Sequence, residues 1–202
     1  MKTLIVPDIH THWERADALL QKVPFDNAVL LGDYFDEFYD TVEQNRRTAE
    51  WVKSMLANPL VTCLIGNHDY AYWKGVWCSG VTEEKSDAIK EVLSDSDFEK
   101  MRVVKVVHGW ELSHAGMDQR WKPSDGLWDM RGPLWVRPFD FVPVPNNQIF
   151  GHTEFHRPRE YGTIPGGVPG PRQVCIDTRR KHYALLEDGA LTINEWKDDS
   201  DV

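Results

Sequence analysis

Apolar residues along this chain follow two rhythms, and the rhythm changes after Asp69. In the first third, short unbroken runs such as Leu4-Ile5-Val6 and Ala28-Val29-Leu30-Leu31 alternate with stretches whose apolar residues recur every three or four positions. Runs of that length predict strands buried on both faces, over Lys2 to Pro7, Asn27 to Leu31 and Leu60 to Ile65. Between them, Trp13, Ala16, Leu19 and Leu20 share a helical face over Trp13 to Gln21. Val42, Ala49, Val52 and Met55/Leu56 do the same over Thr41 to Leu56, with Thr41 placed to cap. Strand and helix alternating in this way predict a parallel sheet of right-handed βαβ units.

Beyond Asp69 the pattern loosens. Tyr70 to Gly80 is aromatic and poorly periodic. Thr82 to Leu93 reads as a charged amphipathic helix, and Ser94 to Lys100 as a further short one. Val103 to Val107, Glu111 to Ser113, Gln148 to Phe150, Gln173 to Ile176, Tyr183 to Leu186 and Leu191 to Glu195 read as strands. His108-Gly109 and Asp188-Gly189 sit between pairs of them as hairpin turns. His156 to Pro171 carries Pro158, Pro165, Gly166, Gly167, Pro169, Gly170 and Pro171 and is expected to be a surface loop. The second half is therefore mainly β. The expected architecture is α/β, bordering on α+β: a two-sheet sandwich with flanking helices in one domain over residues 1–196. The acidic segment 197–202 is expected to be disordered.

The polar residues that matter stand at the ends of these strands. Asp8-Ile9-His10, Gly32-Asp33-Tyr34-Phe35-Asp36, Gly66-Asn67-His68-Asp69, Ser113-His114-Ala115-Gly116 and Gly151-His152-Thr153 each follow an apolar run. Each delivers a carboxylate, an amide or an imidazole, with no cysteine among them. Ligands in parallel sheets gather beyond the carboxyl ends of the strands. Oxygen and nitrogen donors collected there suit a pair of divalent metals. Gly32, Gly66 and Gly151 each precede one of these donors, where a tight turn or a close backbone approach favours a residue without Cβ.

Composition narrows the setting. With 202 residues, 41% hydrophobic and 27% charged, the chain is long enough for a real core and ordinary for a globular protein. No apolar run approaches the roughly 20 residues of a membrane helix, and Met1-Lys2 leads at once into the first strand, so a cytoplasmic location is expected. Three scattered cysteines, Cys63, Cys78 and Cys175, suit neither a disulfide framework nor a thiolate zinc site. A formal charge of −9 without a Lys/Arg cluster offers no face to nucleic acid.

Together the five segments resemble the calcineurin-like metallophosphoesterase superfamily, whose pattern runs DxH, GDxxD, GNH followed by Asp or Glu, H and GH. All five occur in that order between Asp8 and His152. The Ser113-His114-Ala115-Gly116, Leu134-Trp135-Val136-Arg137 and Gly151-His152-Thr153 segments look most like the bacterial and phage phosphoprotein phosphatase branch, which also holds the symmetrical diadenosine tetraphosphate hydrolases. The resemblance implies a phosphatase with two divalent metals, manganese by choice and iron or zinc as alternatives. Asp8 and His10 would hold the first metal, Asp33 would bridge to the second, and Asn67, His114 and His152 would complete it. A hydroxide between cations about 3.5–4 Å apart would attack phosphorus in line. His68 would protonate the leaving oxygen, and Asp36 would orient its imidazole. The implied substrates are phosphoprotein or nucleotide-type phosphate esters, with dinucleoside polyphosphates or phosphodiesters as alternatives.

The chain departs from that pattern in three places. Glu37-Phe38 follows Asp36 where the branch carries a phosphate-clamping Arg and then Gly. Thr11 stands where Gly is favoured. Glu154 stands where the wider superfamily has a histidine for the first metal, with His156 as another stand-in. Arg137, then Arg131, are the candidates for the missing clamp, since a guanidinium suits bidentate binding of phosphoryl oxygens.

Plainer explanations exist for single residues: Asp8 and Asp33 as helix caps, Asp36 as a turn carboxylate, Arg137 as a surface Arg lying over Trp135. His12, His108, His156 and His182 read as structural or exposed. Asp8-Ile9-His10-Thr11-His12 also resembles the metal motif of the PHP phosphoesterases and amidohydrolases, whose barrels need more βα units than occur here. A non-catalytic scaffold would be a different class, and should have lost a residue such as His68 or Asp33.

Overall fold

The computed structural model of the chain describes residues 1–139, 142–164 and 168–196. The acidic segment 197–202 and Pro165, Gly166 and Gly167 of the Pro/Gly stretch lie outside the described residues. In chain order the strands are β1 (Lys2–Val6), β2 (Asn27–Leu30), β3 (Val61–Cys63), β4 (Val104–Val107) and β5 (Trp110–Ser113). They continue with β6 (Asn147–Phe150), β7 (Arg159–Ile164), β8 (Val168–Cys175), β9 (His182–Glu187) and β10 (Ala190–Glu195). The helices are α1 (Trp13–Lys22), α2 (Val42–Ala57), α3 (Asn67–Lys74), α4 (Glu83–Lys90) and α5 (Asp95–Phe98).

Among the described residues the strands form two five-stranded sheets, ordered β10-β9-β1-β2-β3 and β4-β5-β6-β8-β7. β1, β2 and β3 run parallel, as the βαβ pattern requires, and β9 and β10 extend that sheet antiparallel. The second sheet has a parallel centre of β5, β6 and β8, with β4 and β7 antiparallel at its edges. This is the two-sheet α/β sandwich expected from the sequence.

The period of two along the strands explains how the layers hold together. Ile5 and Val29 point one way and join Leu112, Ile149, Val174 and Leu186 in the core between the sheets. Leu4, Val6, Ala28 and Leu30 point the other way and pack with Ala16, Leu19, Ala49 and Val52 of the helices. Each strand is thus buried on both faces, which is why its sequence reads as an unbroken apolar run. Both expected hairpin turns form. His108 and Gly109 have φ of 47° and 80°, Asp188 and Gly189 have 49° and 90°, and each pair closes a two-residue turn. Positive φ at both positions is the type I′ turn that matches strand twist.

Two expectations need correction. Part of the aromatic stretch after Asp69 is a helix, α3, which begins at Asn67. Gly66 caps it, and Asp69 reaches back to accept the Gly66 N–H at 2.8 Å. Ala71 and Tyr72 are buried while Tyr70 and Trp73 are partly so, and a helix covered on several sides shows no clean periodicity. The Pro/Gly stretch expected as a loop is a β-arm made by β7 and the start of β8. β8 pairs with β6 only from Gln173 to Cys175, so Pro169 and Pro171 lie beyond the end of β6 and their missing N–H groups break no ladder on that side.

α2 places Asn45 under the site and begins with a capping box. Gln44 N–H donates to Thr41 Oγ1 at 3.1 Å, and Thr41 N–H donates to Gln44 Oε1 at 2.8 Å. Thr41→Ala should therefore cost about 1 kcal/mol. A lower urea midpoint at unchanged slope would show it, and an unmoved midpoint would mean that the cap does not hold the helix.

Candidate metal centre and active site

The strand-end segments converge from both sheets onto one rim. Asp8 follows β1, Asp33 follows β2 and Asn67 opens α3 after β3; from the second sheet His114 follows β5 and His152 follows β6. Asp8, Asp33, Asn67 and His114 are all buried. Among the described residues there are two groups, Asp8–His10–Asp33 and Asp33–His114–His152, within each of which the potential donor atoms lie within 4.8 Å of one another. Asp33 belongs to both.

The backbone is bent to achieve this. His10, Asp33, Asp36 and His152 sit at φ of 43°, 48°, 67° and 64°. Left-handed backbone is costly for residues with a Cβ and persists only where the surroundings impose it. At Asp33 the surroundings are Asp69. Its buried carboxylate accepts the N–H groups of Asp33 (2.8 Å), Tyr34 (2.9 Å) and Gly66 (2.8 Å), stapling the end of β2 to the end of β3. Burial, with Asp33 adding to it, pushes Asp69 up to about 7 against the pull of the Gly66 and Tyr34 N–H groups. Close approach also explains two glycines. A Cβ on Gly32 would stand 2.5 Å from Gly66 N, and one on Gly151 would run into Asp8 Oδ1.

The donors are turned to receive cations. His10 Nδ1 lies 2.6 Å from the Asp36 carbonyl and must donate to it, leaving Nε2 as the lone pair on the side of Asp33. His114 Nδ1 donates to the Leu31 carbonyl at 3.0 Å in the same way. Its Nε2 then faces Asn67 Oδ1 at 2.9 Å, His152 Nδ1 at 3.1 Å and Asp33 Oδ2 at 3.2 Å. Asn67 Nδ2 points to Cys78 Sγ at 3.5 Å, which turns its oxygen inward. One proton on His114 Nε2 cannot serve three acceptors, and His152 Nε2 is buried without a partner among the described residues. Carboxylate, amide and imidazole donors facing one another with too few hydrogens fit a divalent cation well.

Charge tells the same story. Burial opposes charge on His114, but Asp33 and Asp8 outweigh it and lift the ring to about 9. Burial pushes Asp8 up, with Asp33 adding to it. Burial also works against Asp33, yet His114 and His68 hold it well below the usual carboxylate range. His152 goes the other way: burial, then His114 and Arg137, keep it neutral. A neutral imidazole is what a metal needs.

Beside these donors, His68 Nδ1 lies 3.0 Å from Asp36 Oδ2, and the His68 N–H donates to Asp33 Oδ1 at 3.0 Å. Burial disfavours the charged ring, but Asp33 and Asp36 raise it well above its ordinary value. Of the two arginines, Arg137 is at the site, where Nη1 donates to the His152 carbonyl (2.9 Å) and to Thr153 Oγ1 (3.2 Å). Arg131 is taken up by Asp129 at 2.9–3.0 Å and faces Asp125, with no contact to the donor cluster among the described residues.

Glu154 is exposed and pairs with Arg179, and His156 is exposed; neither belongs to the donor groups among the described residues. His12 faces Glu37 at 3.7 Å, also outside the groups, and two sheets replace the barrel that its motif suggested.

Several residues here were not anticipated. Glu37, in the place of the expected clamp, is paired with Arg180 at 2.9 Å. Arg180 borders a small cleft with Asp8, His12, Arg15 and His182. Asp177, buried just after β8, is pushed well above the carboxylate range by burial and Asp8. Only its position at a strand end could have pointed to Asp177. Nothing local marks Arg180, or Tyr72 and Lys85, which both donate to Asp36 Oδ1.

A two-sheet sandwich whose strand ends gather carboxylates and imidazoles around one shared aspartate defines a metal-dependent phosphoester hydrolase. The chain belongs to the calcineurin-like phosphoesterase family, whose profile matches residues 1–198. It shares its fold with a metallophosphoesterase from Sphaerobacter thermophilus (TM-score 0.61, 17% identity, covering 98% of this chain and 89% of that one). A cold-active protein-tyrosine phosphatase from a psychrophilic Shewanella is similar too (TM-score 0.61, 16% identity, 96% and 77% covered). So is a protein serine/threonine phosphatase from Saccharomyces cerevisiae (TM-score 0.59, 13% identity, 98% and 80% covered). No curated protein matches the chain in sequence. Among the described residues, no helix is long and apolar enough to cross a membrane.

Gly151→Ala should leave the fold intact but push the Asp8 carboxylate aside. Calorimetric titration with a divalent cation should then show weaker binding than in the wild type, and an unchanged affinity would refute the packing argument.

Proposed function

We propose that the chain is a phosphatase with a dinuclear centre, in which Asp8, His10 and Asp33 hold one cation and Asp33, Asn67, His114 and His152 the other. The observation that carries this is the overlap of two donor groups on Asp33. Two divalent cations, manganese by choice with iron or zinc as alternatives, would polarise the phosphoryl oxygens and make a neighbouring water acidic. Asp33 would screen one cation from the other, its carboxylate held low in pKa by His114 and His68 despite burial. His10 and His114 would present Nε2 because their Nδ1 atoms donate to carbonyls, the cation displacing the proton that Asp33 and Asp8 favour on His114.

His68 would give its proton to the leaving oxygen. Its Nδ1 is engaged by Asp36, so Nε2 is the nitrogen that can hand a proton on. Asp36 keeps the ring oriented and stabilises its charged form. Arg137 would meet a phosphoryl oxygen from the His152 side. The substrates best suited are phosphate monoesters on a protein or nucleotide, with dinucleoside polyphosphates and diesters open to the same core. A cytoplasmic setting suits cysteines that are all free and buried.

Two substitutions test this. Asp33→Asn should strip both cations, so dialysed protein that still holds two equivalents by elemental analysis would end the bridging role. With manganese present, the wild type should hydrolyse a phosphopeptide or p-nitrophenyl phosphate faster than the bis ester or diadenosine tetraphosphate. His68→Ala should keep its metals and lose about two to four powers of ten in turnover on the phosphopeptide. Unchanged turnover would remove His68 from the mechanism.

A further inference from the structure

The carboxylate that orients His68 is itself held by a ring of side chains that lies outside every strand-end segment. Asp36 divides its two oxygens. Oδ2 faces His68 Nδ1 at 3.0 Å, while Oδ1 accepts from Tyr72 OH at 2.6 Å and from Lys85 Nζ at 3.1 Å. Lys85 Nζ also donates to Asp40 Oδ1 at 2.5 Å and to the Gly80 carbonyl at 3.1 Å. Asp40 Oδ2 accepts from Asn45 Nδ2 at 2.5 Å, and Asn45 Oδ1 accepts the backbone N–H of Asp36 at 3.3 Å. The ring closes on the residue where it began.

Four pieces of chain meet in it: the loop after β2 with Asp36 and Asp40, α2 with Asn45, α3 with Tyr72, and α4 with Lys85. All are held tightly, for the side chains of Lys85, Asp36 and Asp40 are 10%, 3% and 2% exposed. The space is full as well, since a Cβ on Gly80 would stand 3.0 Å from Asp36 Cγ.

A buried Lys between two carboxylates is most simply an ion pair that ties α4 to the domain, and such pairs add little net stability. Two features fit that explanation poorly. The ammonium and the Tyr72 hydroxyl occupy one carboxylate oxygen and leave the other to His68. The ring also grips both ends of Asp36, whose left-handed backbone (φ 67°) needs outside support. A tether for a helix would need neither.

We propose that Lys85 is a positioning residue for the reaction. Anchored by Asp40 and the Gly80 carbonyl, its ammonium fixes the plane of the Asp36 carboxylate so that Oδ2 stays on His68 Nδ1 and Nε2 stays aimed at the leaving oxygen. The proposal rests on His68 as the proton donor. As an oxygen from water bonds to phosphorus and the ester P–O bond breaks, the electron pair of that bond goes to the leaving oxygen, which takes the proton of His68 Nε2. The Nδ1–H stays on His68 and remains donated to Asp36 Oδ2. Lys85 therefore matters only as far as the leaving group needs that proton. A dinitrophenolate leaves without one, and a serine alkoxide does not.

The test compares Lys85→Met, Lys85→Arg and Asp40→Asn, in the manganese-loaded protein, on a phosphoserine peptide and on 2,4-dinitrophenyl phosphate. Lys85→Met should lower kcat on the peptide about 10- to 100-fold, part of the general-acid contribution, with KM and metal content unchanged. On the dinitrophenyl ester it should change kcat by less than about threefold. Lys85→Arg should restore most of the loss, and Asp40→Asn, which keeps the shape but loosens the anchor, should show the same selectivity more weakly. In a His68→Ala background, Lys85→Met should cost nothing further, because residues that act through one another are not additive.

Equal losses on both esters, or an undiminished loss in the His68→Ala background, would overturn the role of Lys85 while leaving His68 in place. A His68→Ala enzyme with full activity on the peptide would instead sink the donor assignment and the Lys85 role together. Should Lys85→Met fail to fold, the Asp40→Asn selectivity decides the matter in the same terms.

Discussion

A buried carboxylate shared by two sets of donors is the constraint on which the rest of this structure depends. Asp33 is 2% exposed and lies among His10, His68 and His114. A charge so far from water is expensive unless it is paired on every side. Its backbone is held in a left-handed turn by Asp69, its Oδ1 by the His68 N–H, and its Oδ2 faces His114. Gly66 can approach because it has no side chain. The fold therefore spends backbone strain at Asp33, His10 and His152 to bring side chains from five strand ends into one volume.

Within that volume, like groups are driven apart. His114 and His152 have ring centroids 5.0 Å apart, yet His114 is lifted to about 9 and His152 is kept neutral. The difference follows from neighbours. His114 faces two buried carboxylates, whereas burial, His114 and Arg137 act together on His152. The T-shaped contact of Trp135 with His152 adds an apolar wall on that side. A site of this kind suits cations: His152 is already neutral, and a divalent cation would take the place of the proton that the two carboxylates favour on His114.

The sequence carried the donors and the strands legibly because both depend on local pattern. β1 and β2 show themselves as apolar runs, and Asp8 and Asp33 follow directly on them. Three things escaped that logic. Lys85, Asp40, Asn45 and Tyr72 come together only through the packing of α2, α3 and α4, and each alone looks like an ordinary helix or loop residue. β7 and the start of β8 look like a loop because proline and glycine are poor strand formers, and only the short reach of β6 makes them admissible. α3 is aromatic on several sides because it is covered on several sides. Asp69 closes the Gly66-Asn67-His68-Asp69 segment in the sequence, but its three-donor grip on two strand ends emerges only from the fold.

The order β10-β9-β1-β2-β3 has a consequence for how the molecule is made. β1 stands at the centre of its sheet, but its antiparallel neighbour, residues 182–187, is synthesised only after residues 7–181. Until that segment emerges, one flank of β1 offers a row of unsatisfied N–H and C=O groups to any strand nearby. Pairing across such a sequence separation is slow. A growing polypeptide therefore holds this seam open from the synthesis of β1 to that of β9, an exposure set by topology and not by catalytic chemistry.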